Sequence, residues 1–442
     1  MSLLDYSSIA HLIPANSGNI YIAYSGGIDS HVLLHLCASQ ADLHARITAV
    51  YVHHGLQAQA DDWAAHCDNQ STALGIGFLC LKVDAKAANG ESPEAAARQA
   101  RYKALMTLIQ SDDLVLFAQH REDQMETVLL QLFRGAGVRG LAAMPLAAPF
   151  GRGSLIRPLL PIPKSAIREY ARVHRLNWVE DPSNQSSDFD RNFLRNQVIP
   201  LLKQRWPSLD KTVARSAQHC AEASALIATW NSAHLGSLAN PEDNSLNIDK
   251  LKSLEDAEIT GLLRHWFSSL GLKPPSQALL QTVKQQFLHS DAFANPHLVT
   301  QGHVLKKYRQ TLYCLTEKTF APLPDAQDWP AEKCTMRLAN DCVLSLTTTN
   351  AGISQSLWHG SEITLKPRSG GEKLKLANRA GRHDLKKLFQ EAGIPPWERQ
   401  SRPLIYLNGQ LAAVAGLWIA EWACAQIDAG CYRITWQPPQ SV

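Results

Sequence analysis

Six residues carry the strongest chemical signal in this chain: Ser25-Gly26-Gly27-Ile28-Asp29-Ser30. They follow the apolar run Asn19 to Tyr24 and precede His31-Val32-Leu33-Leu34-His35-Leu36, so they read as a glycine loop joining a buried strand to a helix. Such a loop binds anions, because glycines let the backbone approach closely and the free N–H groups of a helix start point at a phosphate. A Walker A loop needs Lys followed by Ser or Thr, and a dinucleotide loop needs three spaced glycines; this loop has neither. It offers hydroxyls at both ends and a carboxylate, Asp29, at the helix start. An Asp in that position is ordinarily a cap, and the strand-loop-helix context around it favours a chemical role.

The string Ala118-Gln119-His120-Arg121-Glu122-Asp123-Gln124-Met125-Glu126-Thr127 mirrors the first loop, between a second apolar run and a helical pattern. Asp123 and Glu126 stand one turn apart. Acids at a helix start are commonplace. Two such starts on one sheet edge make Asp29 and Asp123 candidates for magnesium, which takes carboxylate oxygens and keeps waters and phosphate oxygens as partners. His53-His54-Gly55 also invites a metal reading; neighbours on an extended segment point opposite ways and no third ligand is evident, which favours the wall of a nucleotide pocket. Arg98 and Arg101 share a helical face, with a Glu94–Arg98 surface pair as the plain alternative. Arg134 to Leu141 is a basic, glycine-rich turn, and Asp181-Pro182-Ser183-Asn184 reads as a loop. Arg191 and Arg195 follow it, with Phe189 nearby, groups that suit phosphates and an unstacked base. From Lys366 to Lys387 there are eight Lys or Arg against two acids. Arg368, Lys386 and Lys387 are the candidates there for nucleic-acid phosphates, a solvated basic face being the bland alternative.

The elements that must hold these residues alternate along the first half. Strands are expected at Ile47–Val52, Phe78–Val83 and Leu114–Ala118, with helices at Asp61–Leu74, Pro93–Ser111 and Gln124–Phe133. This βαβ rhythm predicts a parallel sheet covered on both faces, where ligands collect at the carboxyl ends of the strands. Helices continue at Lys164–Arg175 and Arg191–Arg205, and Trp206-Pro207 marks a boundary. The next stretch, from Ser208, is mainly helical; Ala321 to Glu332, rich in proline and acid, reads as a linker. The last hundred or so residues read as α+β, with a hairpin turning at Asn408-Gly409. A chain of 442 residues is expected to hold two or three domains. The net charge of +3 is too small to imply nucleic acid by itself, so any basic surface must be local. Nine scattered cysteines include no Cys-x-x-Cys pair, which disfavours zinc ribbons, redox dithiols and a disulfide framework and suits a reducing cytoplasm. No signal peptide or membrane span is expected.

The first loop resembles the PP-loop, SGGxDS, of the N-type ATP pyrophosphatases, which cleave ATP to AMP and pyrophosphate. The fuller order SGGxDS, VHHGL, ExxxRxxRY, HxxDQxET, RGxGxxGL, RPLL, DxSN and RNxxR resembles the bacterial tRNA(Ile)-lysidine synthases from about Ile20 to Pro207. A second match runs through Arg368 to Glu372 and Leu385 to Trp397. Glu122 departs from the common Asp, and Ser186 and Phe189 from a common acid and Tyr.

The resemblance implies an α/β fold: a Rossmann-like parallel-sheet PP-loop domain over 1–207, a mainly helical tRNA-binding domain over 208–320 and a small α+β C-terminal tRNA-binding domain over 333–442. It implies ATP held by Ser25, Gly26, Gly27, Ile28, Asp29, Ser30, His53 and His120, with Mg2+ at Asp29 and Asp123. The implied partners are tRNA(Ile) with a CAU anticodon, bound in part by Arg191, Arg195, Arg368, Lys386 and Lys387, and free L-lysine; a homodimer is admitted as well. The implied reaction adenylates O2 of the wobble cytidine, releasing pyrophosphate. The lysine ε-amine then displaces AMP at C2, which shifts codon reading from AUG to AUA. At a pKa of about 10.4 roughly one lysine amine in a thousand is neutral at pH 7, so carboxylates must position and deprotonate it. Asp123 and Glu126 are the candidates, with Asp29 a third, while Arg98 or Arg101 would stabilise the adenylate. A tRNA thiolase is the nearest rival, and the missing Cys-x-x-Cys pairs speak against it. A non-catalytic RNA-binding homologue is the other, against which stand Asp29, Asp123 and Glu126 together.

Overall fold

The computed structural model describes residues 4–15, 17–55, 59–84, 93–182, 186, 189–290, 296–316 and 321–437. Two compact units divide the chain, Met1–Ala228 and Thr229–Val442.

The first unit alternates β1 (Ile20–Ala23), α1 (Ile28–Ala38), β2 (Ile47–His53), α2 (Ala60–Ala73), β3 (Gly77–Lys82), α3 (Pro93–Leu108), β4 (Leu114–Leu116) and α4 (Arg121–Phe133), followed by β5 (Ala147–Phe150), β6 (Gly153–Ile156) and α5 (Lys164–Val173). The sheet order is β3-β2-β1-β4-β6-β5, parallel except for the edge pair β5–β6. Period-two alternation assigns the two faces. Ile20, Ile22, Leu114 and Leu116 enter one core with α1 residues such as Val32 and Leu33. Tyr21, Val115, Phe117 and Leu155 enter the other with Leu105 and Ile109 of α3. Both faces are thereby covered, as a parallel sheet requires. Strand order reverses at β1: the chain moves to β2 and β3 on one side, then to β4 on the other. The crevice between β1 and β4 is therefore the topological switch point, where ligands bind in open α/β sheets.

After α5 the chain forms a helical run, the arginine helix, composed of Asp190–Phe193, a π-helical turn Leu194–Val198 and Ile199–Arg205. Trp206 caps its C-terminus, and a long helix, Leu209–Leu238, follows.

The second unit contains two cores. In the first, Trp266, Phe267 and Phe287 are buried among helices, beside a four-stranded antiparallel sheet of Leu246–Asn247, Thr311–Thr316, His303–Tyr308 and His297–Thr300. That sheet was not singled out by the sequence. The second core, around Trp329, Trp358 and Phe389, lies under a five-stranded sheet that includes Leu404–Leu407 and Gln410–Val414, and a three-stranded sheet that includes the long strands Val343–Ser354 and Cys424–Gln437. The expected hairpin is present, with Asn408 at φ +50° and Gly409 at φ +77°. The segment expected as a linker is instead part of this core: Gln327–Asp328 pairs with Ile363–Lys366, and Leu323 and Trp329 are fully buried. A single tryptophan buries enough apolar surface to override the proline-rich composition around it.

All nine cysteines are free thiols. Among the described residues no helix is long and apolar enough to cross a membrane.

Candidate active site

The loop between β1 and α1 is built by its own hydroxyls. Ser30 Oγ donates to the Gly27 carbonyl (2.9 Å) and accepts from the Ser25 N–H (3.2 Å), with Ser25 Oγ also 3.2 Å away. The first intrahelical bond runs from His31 N to Gly27 O, so the N–H groups of Ile28, Asp29 and Ser30 have no acceptor inside the helix. Gly26 sits at φ +79°, and a Cβ there would come within 3.0 Å of Cys67 Sγ. Below the loop, His31 accepts or donates a 2.6 Å bond with Tyr24 Oη, and burial pushes its pKa down to about 4, keeping it neutral.

Above the loop opens a cavity of about 490 Å³, whose walls include Ser25, Gly27, Asp29, Ser30, Gln119 and Asp123. Its far wall carries His54, Trp63 and Arg101.

The helix start after β4 meets this loop through one imidazole. His120 is buried, with Nε2 3.4 Å from Asp123 Oδ2 and 3.7 Å from Asp29 Oδ1. Its backbone N–H donates to Asp123 Oδ2 (3.0 Å), a reciprocal cap for α4. Nδ1 lies 3.2 Å from the Glu122 N–H and 3.4 Å from Glu122 Oε2: neutral, it accepts from the first; protonated, it donates to the second. Burial works to lower the pKa of His120, and the surrounding carboxylates of Glu122, Asp123 and Asp29 outweigh it, so the net shift is upward. Burial likewise opposes ionisation of Asp123, and His120, Arg191 and Arg195 outweigh it and hold the carboxyl below its usual range. Glu122, held by His120, the Lys164 N–H and Lys203 against its burial, is brought down to about 2. Asp29 Oδ1 is buried and has no hydrogen-bond partner.

Glu126, only 1% exposed, is enclosed by the arginine helix. Arg195 donates from Nε to Oε1 (2.7 Å) and from Nη2 to Oε2 (2.8 Å), and Arg191 Nε donates to Oε2 (2.9 Å). Arg195 Nη2 also reaches Asp123 Oδ1 at 2.9 Å. Farther along the same helix, Lys203 lies within 3.4 Å of both Glu122 and Asp210.

The structure thus brings together Ser25, Gly27, Asp29, Ser30, Arg101 and Asp123 on the cavity wall. Ile28 packs its side chain on the core. The residue of the histidine pair that lines the cavity is His54, with Arg101 Nη2 3.2 Å from its Nε2, whereas His53 turns to Asp61 at 3.3 Å. His53 ends β2 and His54 is the next residue of the extended chain, and one such step reverses the facing of a side chain, so His53 does not line this cavity. His120 lies behind Asp29 and Asp123 and acts on the cavity through them. Arg98 is exposed and donates to Tyr102 Oη at 3.1 Å, away from the cavity wall. Arg191 and Arg195, expected to face RNA, are committed to Glu126, and both oxygens of Glu126 carry a guanidinium. Ser183 and Asn184 lie outside the described residues, as does the Glu94 side chain. Tyr24, Trp63, Gln119 and Asp181 also line the cavity. Asp181 and Gln119 stood in stretches the sequence had marked, and Tyr24 closed the apolar run before the first loop, but none of the four was singled out as a site residue.

In the second unit, Lys386 and Lys387 are exposed on the helix Leu385–Glu391. Arg368 is instead half-buried over the Phe389 ring, with Nε 3.6 Å from Glu372 Oε2. Trp397, at the end of the second matched stretch, packs edge-on against Tyr308 and Tyr313 and under the Lys306 ammonium. Its role in the described structure is an internal joint between the two cores of the second unit.

Comparison with known proteins matches a PP-loop domain family over residues 4–202, a TilS substrate binding domain over 246–313 and a TilS substrate C-terminal domain over 363–436. A tRNA(Ile)-lysidine synthase of Methylococcus capsulatus is 37% identical over 95% of this chain and 97% of its own length. That of Alkalilimnicola ehrlichii is 41% identical over 90% of each. Among solved structures, a U34-tRNA thiolase from Methanococcus maripaludis with its [4Fe-4S] cluster matches at a TM-score of 0.41 and 17% identity, over 49% of this chain and 78% of that one.

Proposed function

Because this chain belongs to the tRNA(Ile)-lysidine synthase family, we propose that its first unit adenylates the wobble cytidine of a CAU-anticodon tRNA(Ile) and then joins free L-lysine to C2. The observation that carries this reading is the convergence of two helix starts on one cavity, with Asp29 and Asp123 both within 3.7 Å of His120 Nε2. The loop Ser25–Ser30 supplies hydroxyls and unspent N–H groups for the phosphates of ATP. Arg101, lining the cavity beside His54, faces the charge of the nucleotide.

The residues fit magnesium. Asp29 Oδ1 lacks a partner and Asp123 lines the same cavity; two carboxylates plus phosphate oxygens and waters suit this ion, which rarely uses an all-protein cage. When bound, magnesium offsets the charge that builds on the leaving pyrophosphate.

For the second step, Asp29 and Asp123 are the carboxylates positioned to draw in the lysine ammonium and take its proton. Glu126 has the different task of fixing Arg191 and Arg195 beside Asp123. His120, whose pKa the three carboxylates raise, lies beside Asp123 and helps hold that carboxyl below its usual range. The later segments, 208–320 and 333–442, are read as tRNA-binding, with Lys386 and Lys387 on the exposed basic face.

The test is incubation with ATP, magnesium, lysine and unmodified tRNA(Ile), followed by mass spectrometry of its nucleosides. Cytidine gaining lysine, with one pyrophosphate and one AMP released per adduct, is the expected result. Turnover of ATP without that adduct overturns the reading.

A further inference from the structure

Beside the cavity lies a guanidinium that the proposed reaction does not use. Arg157 is 5% exposed, and among the described residues no carboxylate pairs with it. Its Nη1 donates to the Pro145 carbonyl (2.7 Å), Nη2 lies 3.5 Å from Tyr102 Oη, and Nε donates to Gln119 Oε1 at 3.0 Å. A buried cation with no acid beside it is costly to keep, and a folded chain retains one where its charge or its fixed donor geometry is used.

The last of these bonds decides how Gln119 faces the cavity it lines. A glutamine amide has an acceptor end and a donor end of nearly the same shape, and only its partners settle which is which. A guanidinium carries donors alone, so the end that meets Arg157 is the carbonyl. The amide NH2 is then the end left for the cavity. The register Ile22↔Leu116 aligns β1 with β4, so the residues after them, Ser25 and Gln119, stand close in level across the switch point.

We propose that Gln119 is a ligand-contacting residue whose NH2 donates to an acceptor atom of a nucleotide bound in this cavity, and that Arg157 is the positioning residue that sets its orientation. The acceptor belongs either to ATP or to the cytidine of the tRNA; the chemistry asked for is the same, a lone pair on a base, sugar or phosphate oxygen or nitrogen. The proposal rests on reading the cavity as the nucleotide site.

Four variants of the full-length chain test it, Gln119→Glu, Gln119→Leu, Arg157→Met and the double variant Gln119→Leu/Arg157→Met, each measured for Tm, for Kd of ATP by equilibrium dialysis and for Kd of tRNA by filter binding. Gln119→Glu keeps the bond to Arg157 and replaces the donor by a negative acceptor, so Tm holds or rises while one Kd increases at least about tenfold. Gln119→Leu raises the same Kd by about threefold to tenfold. Arg157→Met raises it by the factor seen for Gln119→Leu, and the double variant Gln119→Leu/Arg157→Met raises it no further, because both changes remove one oriented donor. A change in Kd for ATP assigns the acceptor to ATP, and a change for tRNA assigns it to the cytidine. Unaltered Kd for both ligands in Gln119→Glu overturns the proposal, and so does an Arg157→Met chain that loses only Tm. Wild-type chain that binds ATP but forms no lysine adduct defeats the reaction assigned above and leaves this comparison of affinities intact.

Discussion

Replacing Glu126 separates two roles that a carboxylate at this position can have. Its oxygens accept three bonds from Arg191 and Arg195 between 2.7 and 2.9 Å, and the side chain is almost wholly buried. Removing one partner of a buried ion pair costs about 3–5 kcal/mol, because the other charge is left uncompensated. Here the arginine side chains retain 21% and 30% of their exposure. Arg195 also keeps Asp123 Oδ1, and Arg191 keeps the Asp123 carbonyl and Thr127 Oγ1. Those remaining contacts bring the expected loss for Glu126→Ala to roughly 2–4 kcal/mol, with Glu126→Gln at the lower end because its carbonyl still accepts. In a folding unit of this size that is a fall of about 5–15 °C in the melting transition. Calorimetry of the intact chain gives this number. The kinetic counterpart is a step-resolved assay in which pyrophosphate release reports adenylation and AMP release reports lysine transfer. As the anchor of two guanidiniums beside Asp123, Glu126 supports both steps, and both fall in Glu126→Gln. A variant that melts within about 1 °C of wild type, or that releases pyrophosphate normally while AMP stays on the tRNA, would refute the anchoring role and restore Glu126 as the amine's base.

Four further outcomes follow, three from this site and one from the second unit. His120 has a raised pKa, so the stability it contributes is complete below its unfolded value of 6.5 and is lost as pH rises through the folded value; the Tm gap between wild type and His120→Asn should narrow above that value, and a gap constant to pH 9 contradicts the carboxylate cage. Glu122 runs the other way: with a folded pKa of about 2 against 4.5, its contribution, on the order of 3 kcal/mol at most, is present above pH 4.5 and disappears as pH falls toward 2, which acid titration of Glu122→Gln against wild type will register. Gly26→Ala forces a Cβ into a φ of +79° and against Cys67 Sγ, so Tm drops by a few degrees and ATP affinity falls about tenfold or more; unchanged ATP binding removes this loop from the nucleotide site. Neutralising Lys386 and Lys387 together should weaken tRNA binding and flatten its dependence on log salt by about 0.7–0.9 per lost phosphate contact, with ATP affinity untouched.

Much of the first unit was legible because a parallel sheet writes itself twice, once in apolar runs and once in the loops at their carboxyl ends. Ser25–Ser30 and the Asp123 helix start were both found this way, since each couples a buried strand to a helix start within a few residues. Side-chain facing was less legible. His53 and His54 are neighbours at the end of a strand, and nothing in their types says which turns inward. Arg191 and Arg195 read as tRNA-phosphate contacts because spacing alone does not reveal a carboxylate waiting some 65 residues earlier in the chain. Gln119 and Arg157 each stood in a marked stretch, the Ala118–Thr127 string and the RPLL motif, but their pairing left no signal, as it exists only once the fold sets them 3.0 Å apart. In the second unit, the stretch around Trp329 misled because composition averages over residues while a core is decided by the largest of them.

The π-helical turn Leu194–Val198 has a consequence for how this chain tolerates change in length. On a uniform α-helix, with 3.6 residues per turn, Lys203 would stand about 80° around the axis from Arg195. Widening one turn to i→i+5 bonding slows the rotation, which brings Lys203 back toward the face that carries Arg191 and Arg195. One strip of the helix can then serve Glu126, Asp123, Glu122 and Asp210 in sequence. The turn works as a phase adjuster. Deleting a single residue from it, between Arg195 and Ile199, should yield a regular α-helix on which Lys203 stands seven residues from Arg195, about 20° around the axis, so the basic strip stays in step with its acids.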